Sequence, residues 1–160
     1  MAFELAKEHL AKLGLDHKIR VLDESSATVA LAAQALGCEE KRIAKSLSFK
    51  VHDEAILIVM AGDAKLDNPK YKARFGTKAS MLTPDEAVEM IGHAVGGVCP
   101  FGIKDGVRIY LDESLRRFDF VYPACGSSNS AVKLTLDELE LACGNVEWID
   151  VGKNWQERAE

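Results

Sequence analysis

Two β-prone runs separated by three polar residues constrain the fold of this chain most. Residues 43–51 and 55–61 are rich in apolar side chains, and His52-Asp53-Glu54 joins them. So short a polar connection favours a hairpin of two antiparallel strands. We therefore predict that this pair forms the centre of a β-sheet.

The other elements are predicted from helical spacing, capping residues and short apolar runs. Helices are expected at residues 3–13, 29–36, 66–75, 83–90 and 135–144. Further strands are expected at residues 19–22, 79–82, 107–111, 118–122 and 131–134. Because strands follow one another more often than they alternate with helices, an α+β fold with a mainly antiparallel or mixed sheet is favoured over a doubly wound one.

Length and composition predict one compact domain over residues 1–160, since the chain has 160 residues and is 48% hydrophobic. The longest apolar run, residues 55–62, is far shorter than the roughly 20 residues needed to cross a bilayer. The mixed-charge start resembles no signal peptide, so we expect a cytoplasmic protein. Four widely spaced cysteines without a C-x-x-C pair favour reduced thiols over a zinc or disulfide site.

Charge is unevenly distributed along the chain. The net charge of −5 argues against broad electrostatic binding to nucleic acid, and we expect no DNA partner. Residues 41–78 nevertheless contain nine Lys or Arg against four Asp or Glu. A solvated face explains such an excess in most proteins, so it becomes a functional signal only if Lys45 lies in a cleft.

Lys45 is the first candidate for chemistry. Alternation along its strand places it on the same face as Leu47 and Phe49. A lysine there can simply extend its ammonium to the edge of the sheet. The functional alternative is a cation at the mouth of a pocket, where it meets a carboxylate, a carbonyl or a phosphate.

A glycine-rich loop is the second candidate. Residues 92–106 contain five glycines and one proline without periodicity, which predicts a loop. Its centre reads Gly96-Gly97-Val98-Cys99-Pro100-Phe101-Gly102. Backbone amides beside glycines can approach a ligand and form an oxyanion hole, although such a sequence is also compatible with an ordinary turn.

Two further patterns have weaker claims. Gly126-Ser127-Ser128-Asn129-Ser130 is either a polar turn or the recognition rim of a pocket for a small polar ligand. Cys99 and His93 share one loop and suggest a thiol nucleophile with its base, but no third group is marked to orient them. The sequence has none of the common phosphate-loop, dinucleotide or zinc-protease motifs.

Five blocks in a fixed order carry a family resemblance. They are TVALAAQALGCEEKRIAKSLSFK, AILIVMAGDAKLD, GGVCPFGIK, RIYLDESL and VYPACGSSNSAVKLT. Together they resemble the YbaK family of aminoacyl-tRNA editing domains, which includes free-standing proteins and an insertion domain of bacterial prolyl-tRNA synthetases. The resemblance spans roughly residues 17–150 and implies a curved mixed, barrel-like sheet flanked by helices.

The resemblance also implies an activity, the hydrolysis of mischarged tRNA in trans, and a set of site residues. Lys45 matches the functional lysine of the family, and Gly96 and Gly97 match its active-site loop. Neither a cofactor nor a metal is implied, and the partners are the aminoacylated acceptor end of tRNA and a prolyl-tRNA synthetase or other translation factor. The expected substrate contacts are Ser46, Val98, Cys99, Pro100, Phe101, Gly126, Ser127, Ser128 and Asn129.

The amino acid removed stays open among Cys, Ala, Ser and Thr. Some Cys-specific members carry an acid near the position of Ala131, and the alanine-specific branch uses a histidine in this region, whereas this chain has no histidine after His93. The neutral, hydroxyl-rich segment 127–130 favours a small or hydroxylated amino acid. A non-catalytic module that binds aminoacyl-tRNA or a synthetase through the same pocket is the alternative function.

Overall fold

The structure is a computed structural model that describes residues 2–144 and 146–155. Its helices are α1 (Ala2–Ala11), α2 (Val29–Leu36), α3 (Asn68–Phe75), α4 (Pro84–Glu86) and α5 (Leu136–Cys143). Its strands are β1 (Ile19–Val21), β2 (Ile43–Val51), β3 (Glu54–Ala61), β4 (Lys65–Leu66), β5 (Arg108–Asp112), β6 (Phe120–Pro123), β7 (Ser130–Val132), β8 (Leu134–Thr135), β9 (Glu147–Ile149) and β10 (Gly152–Lys153).

The predicted hairpin is confirmed at the centre of the main sheet. Strands β2 and β3 pair antiparallel from Ala44 opposite Ala61 to Val51 opposite Glu54. The turn consists of His52 and Asp53, whose φ angles are both positive, at 50° and 68°. Two consecutive positive φ angles match the twist of the two strands, which explains why so short a connection suffices.

The main sheet contains six strands in the order β8-β6-β2-β3-β5-β9 and curls into a half-barrel. Strand β6 runs parallel to β2, and both β5 and its neighbour β9 run parallel to β3, while β8 is antiparallel to β6. The expected α+β fold with a mixed, barrel-like sheet is therefore confirmed.

Helices cover both faces of this sheet. The side chains of β3 are therefore buried on either side. Leu57 to Ala61 are all fully buried. Val59 and Ala61 pack in the cluster that contains the apolar residues of α1 and α5. Ile58 and Met60 point the other way, into a cluster with Tyr71 of α3. Successive residues of β3 pack in different clusters, so a slip of one residue in the hairpin register would exchange the two sets of side chains.

Helix α1 also lies against two loops that matter below. A Cβ atom on Gly102 would come within 2.5 Å of the Leu5 carbonyl, and one on Gly126 would come within 2.6 Å of the Ala2 carbonyl oxygen. Both glycines have positive φ angles. The helix therefore supports both the glycine loop (residues 92–106) and the segment of residues 126–130, which we call the serine loop. Only glycine permits so close an approach.

Three secondary-structure predictions were wrong in their details. The helix expected from residue 66 begins at Asn68, because the Asp67 side chain caps it by accepting from the Lys70 amide, while Leu66 pairs with β10. Residues 79–82 form only a single bridge, between Phe49 and Met81. Strands β9 and β10 were missed, since each is too short to show an alternating pattern.

Candidate functional site

A cavity of about 310 Å³ opens between the segment leading into α2, the first half of β2 and the two loops. Four of the residues singled out in the sequence line it, namely Lys45, Ser46, Gly96 and Val98. Its walls are otherwise small hydroxyl or apolar side chains, among them Ser26, Thr28, Val29, Ala44, Ser48, Met81, Val95, Tyr122, Ser130 and Ala131. The cavity brings the central strand and the glycine loop together.

Lys45 is held at this cavity by backbone carbonyl groups. Its Nζ donates to the carbonyl oxygen of Ala64 and, at 3.4 Å, to that of Gly62. An ammonium has three donors, so one N–H is left for a ligand. Burial lowers the pKa of Lys45, while the nearby Asp63 carboxylate acts in the opposite direction. The side chain is thus a fixed, partly desolvated cation with one hydrogen-bond position open.

The glycine loop reaches the cavity through Gly96. This residue has a φ angle of +98°, and a Cβ atom there would lie 3.2 Å from the Cβ of Ala27. Gly97 faces the serine loop instead, where an added Cβ would meet the Ser127 amide nitrogen at 2.7 Å. The Gly126 amide donates to the Gly97 carbonyl at 3.1 Å. The two glycines therefore have different roles, one at the cavity and one at the junction of the loops.

Of the four amides from Gly96 to Cys99, two have protein acceptors and two do not. The Gly97 amide donates to Ala94 O at 3.0 Å, and the Cys99 amide donates to Nδ1 of His93 at 3.2 Å. Among residues 2–144 and 146–155, no acceptor pairs with the amides of Gly96 and Val98. Both of these residues line the cavity, which makes their amides candidate donors to a ligand.

Cys99, Pro100 and Phe101 lie behind the cavity wall and do not line it. All three are buried, and Cys99 and Phe101 belong to the same core cluster as α1. Burial raises the pKa of the Cys99 thiol well above its usual range. The thiol lies 3.8 Å from Nδ1 of His93, which is also fully buried. A buried, protonated thiol is a poor nucleophile, so the geometry argues against a Cys99 hydrolase.

The serine loop supports the cavity more than it lines it. Only Ser130 of this loop reaches the cavity, whereas Gly126, Ser127, Ser128 and Asn129 do not. The Asn129 side chain donates to Leu22 O at 3.2 Å, and the Ser26 amide donates to Ser128 O at 2.6 Å. These bonds attach the segment before α2, and with it Ser26, to the far wall of the cavity.

Two residues that line the cavity have hydroxyl groups without a partner. The Oγ atoms of Ser26 and Ser46 are buried and form no hydrogen bond to any described residue. A buried hydroxyl without a partner costs roughly 1–3 kcal/mol. Ser46 was predicted as a contact, but Ser26 was missed. Its only signal in the sequence is a pair of serines before the Thr28 cap, which is common at helix starts.

The sequence of the chain matches one family model and several known proteins. The model of the aminoacyl-tRNA editing domain matches residues 23–141. The uncharacterized protein YwhH of Bacillus subtilis strain 168 is 48% identical over 157 residues, which cover 98% of this chain and all of that protein. A proline–tRNA ligase of Halalkalibacterium halodurans is 34% identical over 104 residues, or 64% of this chain, yet these residues span only 18% of the ligase.

A solved structure extends this similarity to the three-dimensional fold. It is described as a proposed trans-editing enzyme for prolyl-tRNA synthetase, and it is 32% identical to this chain with a TM-score of 0.85. The match covers 96% of this chain and 98% of the solved one. In the described part of the chain, no helix is long and apolar enough to cross a membrane, and no three His, Cys, Asp or Glu side chains are grouped as metal ligands.

Proposed function

Because the chain belongs to the aminoacyl-tRNA editing domain family, we propose that it acts in trans as a deacylase that hydrolyses the ester of a mischarged tRNA in the cytoplasm. One observation carries the proposal: one cavity is lined by Lys45, whose ammonium has a donor to spare, and by Gly96 and Val98, whose amides have no acceptor among the described residues. These donors suit an ester, whose hydrolysis needs a positioned carbonyl and a stabilised oxyanion.

Each of the donors has a distinct part in the reaction. Lys45 binds an oxygen of the terminal ribose or its phosphate and fixes the ester in place. The amides of Gly96 and Val98 receive the carbonyl oxygen, on which negative charge develops when water attacks the ester carbon. The tetrahedral intermediate then expels the ribose oxygen, which takes a proton, and the free amino acid is released. No step requires a metal, since an aminoacyl ester is already activated.

The unpaired hydroxyls favour a hydroxylated amino acid among the four candidates Cys, Ala, Ser and Thr. Ser26 and Ser46 both line the cavity, and a substrate hydroxyl would satisfy one or both of them. A site built to bind a hydroxyl discriminates against an analogue that lacks it, because its own polar groups are then left unpaired. We therefore propose Ser- or Thr-tRNA as the preferred substrate and the acceptor end of tRNA as the partner.

The test is a deacylation panel on tRNA charged with Cys, Ala, Ser and Thr, comparing the wild type with Lys45→Ala. We expect turnover of the seryl or threonyl ester, and a loss of about 100-fold or more in Lys45→Ala, as is typical when an electrostatic contact to the transition state is removed. Absence of turnover on every substrate, together with retained binding of aminoacyl-tRNA, would establish the non-catalytic alternative instead.

A further inference from the structure

The turn that holds Lys45 is itself fixed by an ion pair. Gly62 and Ala64, whose carbonyls accept from Lys45, flank Asp63 on either side. Both oxygens of the Asp63 carboxylate accept from the Arg117 guanidinium, at 2.6 Å and 3.0 Å. A bidentate arrangement of this kind fixes direction as well as distance. The ion pair therefore connects Arg117 to the turn whose two carbonyls hold the ammonium.

Arg117 is in turn held by two other segments. Its Nε donates to Ser114 O at 2.9 Å, and its Nη1 donates to Trp155 O at 3.2 Å. Its guanidinium carbon also lies 5.2 Å from the centre of the Trp155 ring. Four hydrogen bonds, two of them to Asp63, thus hold a side chain that is about one quarter exposed. Arginine suits this role because its planar fork is pre-organised.

The turn is also held by hydrogen bonds at both of its ends. On one side the Ala61 amide donates to the Ser114 hydroxyl at 3.0 Å. On the other, β4 pairs with β10, and the Asp67 amide donates to Val151 O at 2.7 Å. Trp155 and β10 lie beyond residues 23–141, the part matched by the family model. The lysine is therefore positioned partly by a segment outside the family match.

We propose that Asp63 and Arg117 are positioning residues for Lys45 in the reaction proposed above: their ion pair fixes the turn of residues 62–64, so that the turn holds two ammonium protons and directs the third into the cavity. This inference rests on the proposed function for its catalytic consequence. The arrangement of the lysine is independent of that function and can be measured without a substrate.

Two charges near Lys45 determine how the variants should behave. The Asp63 carboxylate raises the pKa of Lys45 and Lys65 lowers it, while burial has the largest effect and also lowers it. Asp63→Asn removes the negative charge and keeps the size of the side chain. The ammonium then loses its favourable neighbour, so the pKa of Lys45 must fall further.

The experiment compares Asp63→Asn, Arg117→Met and Arg117→Lys with the control Arg116→Met. Arg116 lies beside Arg117 in the short 3-10 helix Glu113–Arg117. It pairs with Glu113 at 2.9 Å and stacks on Trp148, so it resembles Arg117 in forming both an ion pair and an aromatic contact. Two measurements are made. The first is the pKa of Lys45, taken from its side-chain NMR resonance, which is assigned by its absence in Lys45→Arg. The second is kcat and KM on a mischarged tRNA.

We expect a lower Lys45 pKa in Asp63→Asn, with the alkaline limb of the kcat/KM profile shifted to lower pH. In Asp63→Asn and Arg117→Met, kcat should fall about tenfold or more while KM changes less, because a misplaced group costs mainly the chemical step. Arg117→Lys should recover part of the loss, since an ammonium can pair with one carboxylate oxygen, and Arg116→Met should behave as the wild type.

An unchanged Lys45 resonance and unchanged kcat in both Asp63→Asn and Arg117→Met would overturn the inference. Should the wild type hydrolyse no ester, the proposed function fails, yet the Lys45 resonance still decides whether Asp63 and Arg117 hold the ammonium. A loss of activity that follows only the melting temperature, without a change at Lys45 and without recovery in Arg117→Lys, would reduce the ion pair to a general structural contact.

Discussion

Nδ1 of His93 accepts a hydrogen bond from the Cys99 amide at 3.2 Å, inside the loop that presents Gly96 to the cavity. An imidazole nitrogen that accepts carries no proton, so the neutral ring has its proton on Nε2. His93 is fully buried, and burial lowers its pKa from the ordinary value of 6.5. The shape of the glycine loop therefore depends on an uncharged histidine.

We predict acid destabilisation that depends on His93. Because the folded-state pKa lies below 6.5, the unfolded chain binds the proton first, and stability is present above about pH 6.5 and is lost as the pH falls below it. The free energy of unfolding of the wild type should decrease over this range. His93→Gln, which keeps an acceptor but does not titrate, should show a smaller decrease in urea melts at pH 7.5, 6.5 and 5.5. Equal slopes in the two proteins would contradict the prediction.

Gly97→Ala should disturb the junction of the two loops. The new methyl group would stand 2.7 Å from the Ser127 amide nitrogen and 2.8 Å from its Cα, and backbone atoms cannot easily move aside. We expect a loss of about 1–3 kcal/mol of stability, as for other overpacked sites. Gly106→Ala is the control: it has a positive φ angle but no atom within 4 Å, so only the cost of a left-handed backbone, about 1 kcal/mol, should apply. Thermal melts of both variants, with deacylation rates, provide the comparison.

Ser46→Ala should reduce the discrimination between threonyl and alanyl esters. Ser46 lines the cavity and its buried hydroxyl has no partner, so in the proposed reaction its removal would deprive a substrate hydroxyl of a contact while the alanyl ester loses nothing. We expect the ratio of kcat/KM values for the two esters to fall about tenfold, which corresponds to one hydrogen bond. Thr135→Ala, at the cap of α5 and away from the cavity, is the control, and its ratio should stay at the wild-type value.

Cys99→Ala should retain turnover. The thiol is buried in the core cluster, its pKa is raised by burial, and it does not line the cavity. Thiol alkylation of the folded protein should likewise leave the deacylation rate unchanged. The expected cost is one of stability, about 1–2 kcal/mol from the lost packing. If Cys99→Ala lost its activity but kept the circular-dichroism spectrum of the folded protein, the Cys99 thiol would be the nucleophile after all.

The sheet was predictable because its centre is local in sequence. The hairpin of β2 and β3 follows from two apolar runs and a short turn, and the caps at Thr28 and Thr135 follow from residue type alone. Strands β9 and β10 were not predictable, since each contains three residues or fewer and is stabilised by partners far away along the chain. Short strands depend on tertiary pairing rather than on propensity.

The candidate site was predictable where a residue type is conspicuous. Lys45 is a charged residue on the same strand face as Leu47 and Phe49, and Gly96 belongs to the pair Gly96-Gly97. Ser26 reaches the cavity only because the serine loop binds its segment across about 100 residues of chain, a contact that no local pattern encodes. The burial of Cys99 and Phe101 was equally hidden, because a loop sequence does not reveal that a helix packs against it.

The hydrogen bond from the Gly126 amide to the Gly97 carbonyl has a kinetic consequence. In many enzymes a mobile flap folds over the substrate, and its reopening limits the rate of turnover. Here that hydrogen bond joins the glycine loop to the serine loop behind the cavity, so neither loop can swing independently of the other. In the proposed reaction the ester would therefore enter a preformed opening, and its products would leave by the same route. Cleavage of the ester should therefore limit the rate of turnover, with no burst of product in the first cycle.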